Sequence, residues 1–328
     1  MTALTALPIE VAAPNIARWK IATSGTDRTS GIAYVHERHG NTAGPDVLVT
    51  ALVHGNEYSG AIAIAELLAS GWQPASGRVT FAFCNVAAFD RFDADMPDAS
   101  RYVDEDFNRV WSAARLASSD TNTELVRARQ LQPFVARATH LLDLHSMHEA
   151  SKPLWVTGTL QRNIDFAQAL QTPCQVIIDS GHQDGVRMRD HGDFSNPDGS
   201  RIALLLEAGQ HWQASSVSVA RNALMRFLMQ AGSICRADVS GGWSSWILPD
   251  SIAPTPVLVT DRVVARSTDF AFAQPYSGGE VIANAGTVIA VDDGLPIVTP
   301  YDNCVLVMPS VRQLRASVTT VRLGKMMT

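Results

Sequence analysis

The stretch VLVTALVHGNEYSGAIAIAELLASG, residues 47–71, constrains the fold more than any other part of the chain. Its first seven residues are apolar or β-branched without a polar alternation, the pattern of a strand covered on both faces, as in a parallel sheet. The period then turns helical: Ala61, Ile64, Ala65, Leu67 and Leu68 share a face, and Gly71 supplies a C-terminal stop. Between the two elements stand His54 and Glu57, three residues apart, so an imidazole and a carboxylate can point to the same side of one turn. A pair so placed either holds a ligand or decorates a loop.

The order strand then helix recurs along the chain. VTFAFCNV (79–86) reads as a strand and is followed by about thirty residues of Asp-rich loop, a length that belongs to functional loops. A helix at 124–138, a strand at 140–144, a helix at 164–170 and a strand at 175–179 come next. ALLLEAG (203–209) is a further buried strand, and VSVARNALMRFLMQAG is the helix that closes this part near Ser233. The alternation predicts an α/β fold: a mostly parallel mixed sheet with helices on both faces. From about Ala237 the chain changes to short β-rich runs (PVLVTDRVVA, EVIANAGTVIAVDDG, CVLVMPS) with no helical period, which predicts a smaller C-terminal all-β domain. The expected division is 1–235 and 236–328. With 328 residues, 46% of them hydrophobic, each part can bury a core. The section TVIAVDDGLPIVTPYDN resembles the hairpin of a lipoyl or biotinyl carrier, but its tip is Asp292-Asp293-Gly294 where a carrier needs a lysine. The carrier reading therefore fails.

Charge excludes other classes. The chain has 26 Lys and Arg against 32 Asp and Glu, a net charge of −6, and no basic run that could follow a phosphate backbone, so nucleic acid is not an expected partner. No apolar stretch reaches 18 residues, and MTALTALPIEVAAP, after which comes the turn-rich ATSGTDRTSG at 22–31, lacks the basic and apolar regions of a signal peptide. A cytoplasmic protein without membrane association is expected; homo-oligomerisation stays open. Cys84, Cys174, Cys235 and Cys304 form no CxxC pair and read as buried thiols.

A third ligand to join His54 and Glu57 belongs at the C-terminal edge of another parallel strand, where open α/β sheets bind ligands. LLDLHSMHE offers His145 directly after an apolar run. Two histidines and a glutamate form the three-ligand set of catalytic zinc sites, so one Zn²⁺ per chain is expected, with other divalent ions open. His148 competes, but it falls three residues beyond the strand end. Asp143 alternates with Leu142 and Leu144 and is either a partner for an imidazole or a loop carboxylate. Glu207 ends a strand so apolar that its carboxylate is paired, protonated or functional, and it is the candidate general base and acid. In RYVDEDFNRVW, Arg101 offers a guanidinium for a developing oxyanion, and Asn108 with Arg109 can hold a carboxylate. The competing reading of that segment is surface arginines paired with Asp104, Glu105 and Asp106.

HGNE, RYVDEDFNR, DLHSM and LLLEAGQHW, in this order, resemble the succinylglutamate desuccinylase/aspartoacylase family, relatives of the zinc carboxypeptidases, over roughly residues 47–212. The resemblance implies His54, Glu57 and His145 as zinc ligands and Glu207 as general base and acid. It implies Arg101 as the group that polarises the scissile carbonyl, and Asn108 and Arg109 as holders of the substrate's amino-acid carboxylate. It also implies a C-terminal β domain over the active-site mouth. DFNR stands where the family has DLNR. For the family's second substrate-binding arginine, Arg187, Arg189 and Arg201 are candidates, and for its C-terminal tyrosine, Tyr276 and Tyr301. The activity so implied is zinc-dependent hydrolysis of a small-molecule N-acyl amino acid or similar small carboxylate-bearing amide, a deacylase reaction. The rivals are a metallocarboxypeptidase acting on peptides and a non-catalytic metal-binding scaffold.

Overall fold

The computed structural model describes residues 7–21, 28–29, 31–172, 174–181, 184–240, 242–252 and 255–327. Most of the turn-rich segment expected at 22–31 lies outside the described residues, as do the first six. The strands in chain order are β1 (Arg28–Thr29), β2 (Val35–His39), β3 (Thr42–Ala51), β4 (Ser76–Phe83), β5 (His140–Met147), β6 (Leu154–Val156), β7 (Gln175–Ile178) and β8 (Ile202–Gln210). The tail adds β9 (Val257–Val264), β10 (Ala271–Phe272), β11 (Glu280–Ile282), β12 (Val288–Asp292), β13 (Leu295–Val298), β14 (Cys304–Val307) and β15 (Thr319–Met326). The helices are α1 (Ser59–Ala69), α2 (Val86–Phe89), α3 (Ala113–Ala117), α4 (Thr123–Arg137), α5 (Gln161–Ala169), α6 (Ala214–Gln230) and α7 (Arg236–Ser240).

One twelve-stranded sheet runs β1-β2-β4-β3-β5-β8-β6-β7-β9-β15-β14-β11, and a second, three-stranded sheet runs β10-β12-β13. The centre β4-β3-β5-β8 is parallel. The expected α/β architecture is thus present, with an antiparallel C-terminal β region. That region is joined to the large sheet, because β9 pairs in parallel with β7 through Ile177↔Val257 and Ile178↔Leu258.

Strand alternation explains why the central strands are apolar throughout. Val47, Val49, Ala51, Leu142, Leu144, Leu204 and Leu206 face one core, which also takes Ile64, Leu67 and Leu68 of α1 and the buried face of α6. Each of those three α1 side chains contributes about 2 kcal/mol by leaving water. Leu48, Leu141 and Ala203 face the opposite core, filled by Leu125, Ala128, Leu131 and Phe134 of α4 together with Phe107 and Trp111. Gly71 ends α1 in the left-handed region, φ +72°, with its N–H on Leu68 O at 3.2 Å, as its sequence position predicts.

Several boundaries differ from expectation. β3 stops at Ala51 because Leu52 turns to φ +57°. β4 stops at Phe83, and the Asn85 side chain instead accepts from Ala88 N to start α2. β5 runs on to Met147, so His145 lies inside a strand rather than after one. β6 was not expected: three residues are too few to show a period. Short helical turns at α7 and at Ser244–Trp246 interrupt the tail that was expected to lack them. Of the cysteines, Cys84, Cys174 and Cys304 are buried, whereas Cys235 is exposed.

The long loop between β4 and α4 is ordered by one buried carboxylate. Glu124 Oε1 accepts from Val103 N (2.6 Å) and Asn85 Nδ2 (2.9 Å), and Oε2 accepts from Asp104 N (3.0 Å) and Glu105 N (3.3 Å). Replacing it by Gln turns an acceptor into a donor against donors, which costs about 1–3 kcal/mol for the groups left unsatisfied. We expect Glu124→Gln to lower the urea midpoint with an unchanged slope and to speed amide exchange at 103–105; an unchanged midpoint would contradict this account.

Candidate active site

The helix-side turn after β3, the end of β5 and the pinned loop converge on one cluster. Glu57 lies between the two histidines: Oε1 is 2.7 Å from His54 Nδ1, and Oε2 is 2.8 Å from His145 Nδ1. The far nitrogen of each imidazole faces another carboxylate, His54 Nε2 to Asp106 at 3.0 Å and His145 Nε2 to Asp143 at 3.0 Å. A carboxylate can only accept, so the outer acids fix a hydrogen on each Nε2, and Nδ1, which faces Glu57, is the nitrogen that would give its lone pair to a cation once its own proton is displaced. All three central residues are buried, and one ligand atom from each lies within 4.8 Å of the others. Two nitrogen donors and a carboxylate, each imidazole backed by an acid, fit a zinc-type cation. Asp143 is itself held by Thr50 Oγ1 at 2.7 Å.

Gly55 of HGNE has a specific reason to be glycine. A Cβ there would lie 2.3 Å from Ser100 O and 2.5 Å from the Ala88 backbone, and its N–H bonds Arg101 O at 3.0 Å. That contact brings Arg101 over the cluster, with Nη1 3.0 Å from Glu57 Oε1 and Nη2 3.3 Å from Asp106 Oδ2. Arg101 Nη2 and His54 Nε2, both donors, sit 3.0 Å apart above the same Asp106 carboxylate. Arg101 and Arg109 do pair with Asp106, as the competing reading held, but in the site rather than on the surface.

Electrostatics separate the acids. Burial would raise Glu57, but His54 and His145 outweigh it and hold the carboxylate well below its usual range. Burial is likewise outweighed at Asp106 by His54 and Arg101. At His145 burial opposes charge, yet Asp143 and Glu57 hold the imidazolium well above the ordinary histidine range. Glu207 lies beside them on β8, paired in register with His145. Its Oε2 is buried with no hydrogen-bond partner in the protein, and burial followed by the charge of Glu57 pushes the group up to about 8.

His54, Glu57, Arg101, Asp106, His145 and Glu207 line a cavity of about 460 Å³. Asn108 and Arg109 are on its wall; Asn108 Oδ1 accepts from Met188 N at 2.8 Å, and Arg109 Nη1 donates to Asn108 O at 2.8 Å. His148 is in the loop, outside the cluster, though it too faces the cavity. Among the three arginine candidates Arg187 lines the cavity. Arg189 is buried behind it on the carbonyls of Thr157 (2.6 Å) and Ala203 (2.8 Å), and Arg201 bonds Ala136 O and Asp193 elsewhere. Neither Tyr276 nor Tyr301 is among the lining residues; Tyr301 bonds Thr260 at 2.6 Å, and Tyr102 is the tyrosine on the wall. Sequence reasoning missed Asp106 as the partner of His54 and Arg322 of β15, which reaches the cavity with its Nε 3.1 Å from Asp179. Asp106 stands two residues before Asn108, a signal that was present; Arg322 looks like any charged residue on a strand.

Sheet, cluster and cavity together define an α/β protein with a buried His–Glu–His group that could hold a metal ion. Residues 43–230 match the succinylglutamate desuccinylase/aspartoacylase catalytic domain, and the chain belongs to that family. Membership supports amidohydrolase-type chemistry. Among solved structures, a succinylglutamate desuccinylase/aspartoacylase from Rhodobacter sphaeroides is 16% identical with a TM-score of 0.65, over 90% of this chain and 89% of that one. The ectoine utilization protein EutE (DoeB) from Ruegeria pomeroyi is 18% identical, TM-score 0.64, over 88% of each chain. The succinylglutamate desuccinylase from Chromobacterium violaceum is 20% identical, TM-score 0.61, over 92% and 90%. At these identities the likeness is one of fold. No curated protein matches the sequence. No helix among the described residues is long and apolar enough to cross a membrane.

The raised His145 gives a signed pH dependence. A cation must displace the proton that Asp143 and Glu57 hold on His145, so binding releases protons and weakens as pH falls. Calorimetric titration of zinc into metal-free protein between pH 8 and 6 should show weakening affinity and proton release; affinity independent of pH would remove the cluster as the binding site.

Proposed function

We propose that the protein is a zinc-dependent amidohydrolase that cleaves the amide bond of an N-acyl amino acid or a similar small carboxylate-bearing amide. The observation that carries this reading is the Glu207 carboxyl, half-buried beside the His54–Glu57–His145 cluster with an oxygen that has no protein partner. A group so costly to leave unsatisfied is explained by a task at the site.

When bound, zinc supplies a Lewis acid that brings the pKa of a water towards about 7 and draws electron density from a carbonyl. His54, Glu57 and His145 would hold it. In this reading Glu207 takes a proton from the attacking water and delivers it to the leaving nitrogen, so that a C–O bond forms, the C–N bond breaks and a free amine departs. Arg101 donates to the carbonyl oxygen as charge develops there. The Asn108 amide, with its oxygen already engaged by Met188 N, turns its NH₂ group to the substrate, and together with Arg109 it holds the amino-acid carboxylate.

Size favours a small substrate over a peptide. Met308, Pro309, Ser310, Arg315 and Thr319 of the C-terminal region wall the cavity. We assign the chemistry to residues 1–235 and this wall to 236–328. A scaffold function would leave Glu207 and Arg101 without a purpose.

Wild-type protein should carry about one zinc per chain by elemental analysis and hydrolyse a member of a panel of N-acetyl and N-succinyl amino acids, and His145→Ala should lose the metal. Arg101→Ala should keep zinc while turnover falls about 100- to 1,000-fold. Near-normal turnover in Arg101→Ala would remove its role, and absence of zinc with no gain on adding it would remove the whole reading.

A further inference from the structure

A second chain of polar side chains leads away from the cluster and has no part in the chemistry above. Ser146 Oγ is 2.9 Å from His211 Nδ1, His211 Nε2 is 3.2 Å from His148 Nδ1, and His148 Nδ1 is 3.3 Å from Asp98 Oδ1. Ser146 and His211 are buried, and Ser146 and His148 line the cavity. The row is assembled by a bulge: between His145 and Met147 the pairing of β5 with β8 shifts by one residue, in the stretch of β8 that holds Gly209, whose φ of +120° suits glycine alone.

Hydrogen-bond direction along this row follows from its outer end. Asp98 can only accept, so His148 Nδ1 carries the hydrogen and shares it between Asp98 and His211 Nε2. His211 Nε2 thus accepts, and the His211 hydrogen sits on Nδ1 and is donated to Ser146 Oγ. Ser146 Oγ then has its own hydrogen left to give, and Ser146 is on the cavity wall. The opposite direction would set the Asp98 carboxylate against an imidazole lone pair. The bond from His148, with the nearby charges of His148 and Arg312, keeps Asp98 below the usual carboxylate range, and burial followed by the charge of His148 keeps His211 neutral.

We infer that Ser146 is a substrate-contacting donor whose hydroxyl hydrogen is aimed by Asp98, His148 and His211 at an oxygen of the acyl half of the substrate. The acyl half is assigned by position. Arg101, on the loop that also carries Asn108 and Arg109, approaches Glu57 Oε1, whereas Ser146 N approaches Oε2 at 3.3 Å. With the amino-acid carboxylate and the scissile carbonyl oxygen on the Arg101 flank, the part of the acyl group beyond that carbonyl falls on the Ser146 flank. Ser146 touches substrate; the other three are positioning residues. This rests on the proposed amide hydrolysis for the naming of the two halves.

The test is a double-mutant cycle on zinc-loaded protein, reading kcat/KM on the panel of N-acetyl and N-succinyl amino acids and zinc content. Ser146→Ala should lower kcat/KM about tenfold, the loss of one hydrogen bond, with zinc unchanged. Asp98→Asn, whose amide lets the row reverse, should cost a similar factor alone and almost nothing further in the Ser146→Ala background. A merely structural Asp98 would cost the same in both backgrounds, and that result, or wild-type kcat/KM in Ser146→Ala, would overturn the inference. Calorimetric binding of acetate and succinate separates the two proposals. If wild type hydrolyses nothing but binds either anion about tenfold more tightly than Ser146→Ala, only the reaction is refuted; equal affinity, or binding of neither, overturns the donor.

Discussion

The site depends on a carboxylate that takes no part in it. Glu124, at the start of α4 and fully buried, gathers three successive backbone N–H groups of the loop and the Asn85 side chain. Four donors on two oxygens offset the cost of removing an acid from water. In return they hold a loop that would otherwise be expensive to order, and that loop brings Arg101, Asp106, Asn108 and Arg109 to the sheet edge. The sheet and the turn after β3 supply His145, Glu207 and Glu57; the loop that Glu124 holds supplies Arg101, Asp106, Asn108 and Arg109.

The centre itself is a crowd of acids kept in different states by their neighbours. Glu57 and Asp106 are low because imidazoles and Arg101 surround them, while Glu207 is high because it has burial and the charge of Glu57 against it. Carboxyl groups a few ångströms apart are thereby divided between holding charge and moving a proton. The division follows from where each group is placed: Glu207 projects from β8 beside the charge of Glu57, while Glu57 and Asp106 come from the turn and the loop that set them against imidazoles and Arg101.

How much of this was legible in the sequence varies with the distance over which each feature is determined. Runs such as VLVTALV and ALLLEAG show strands directly, since burial on both faces leaves no polar position. The histidines and Glu57 were visible because a polar residue at the end of such a run is conspicuous, and the four ordered motifs gave the family resemblance. Strand ends were misplaced where one residue's backbone decided them, as with Leu52 in the left-handed region and Asn85 as a cap. Arg322 was invisible because its place at the cavity depends on β15 joining the sheet through β9, a pairing between distant segments that no local pattern records. Ser146 was equally silent: its role follows from a bulge that brings His211 beside it.

The seam between β7 and β9 is short, yet Met147, Leu154, Val156, Ile177 and Leu205 share one apolar cluster with Val257, Val305 and Val307 across it. The walls of the cavity and its floor are therefore one frame. A hinged cover could admit a range of shapes and close on each; a rim welded to the floor admits what its aperture allows, and selects before any chemistry begins.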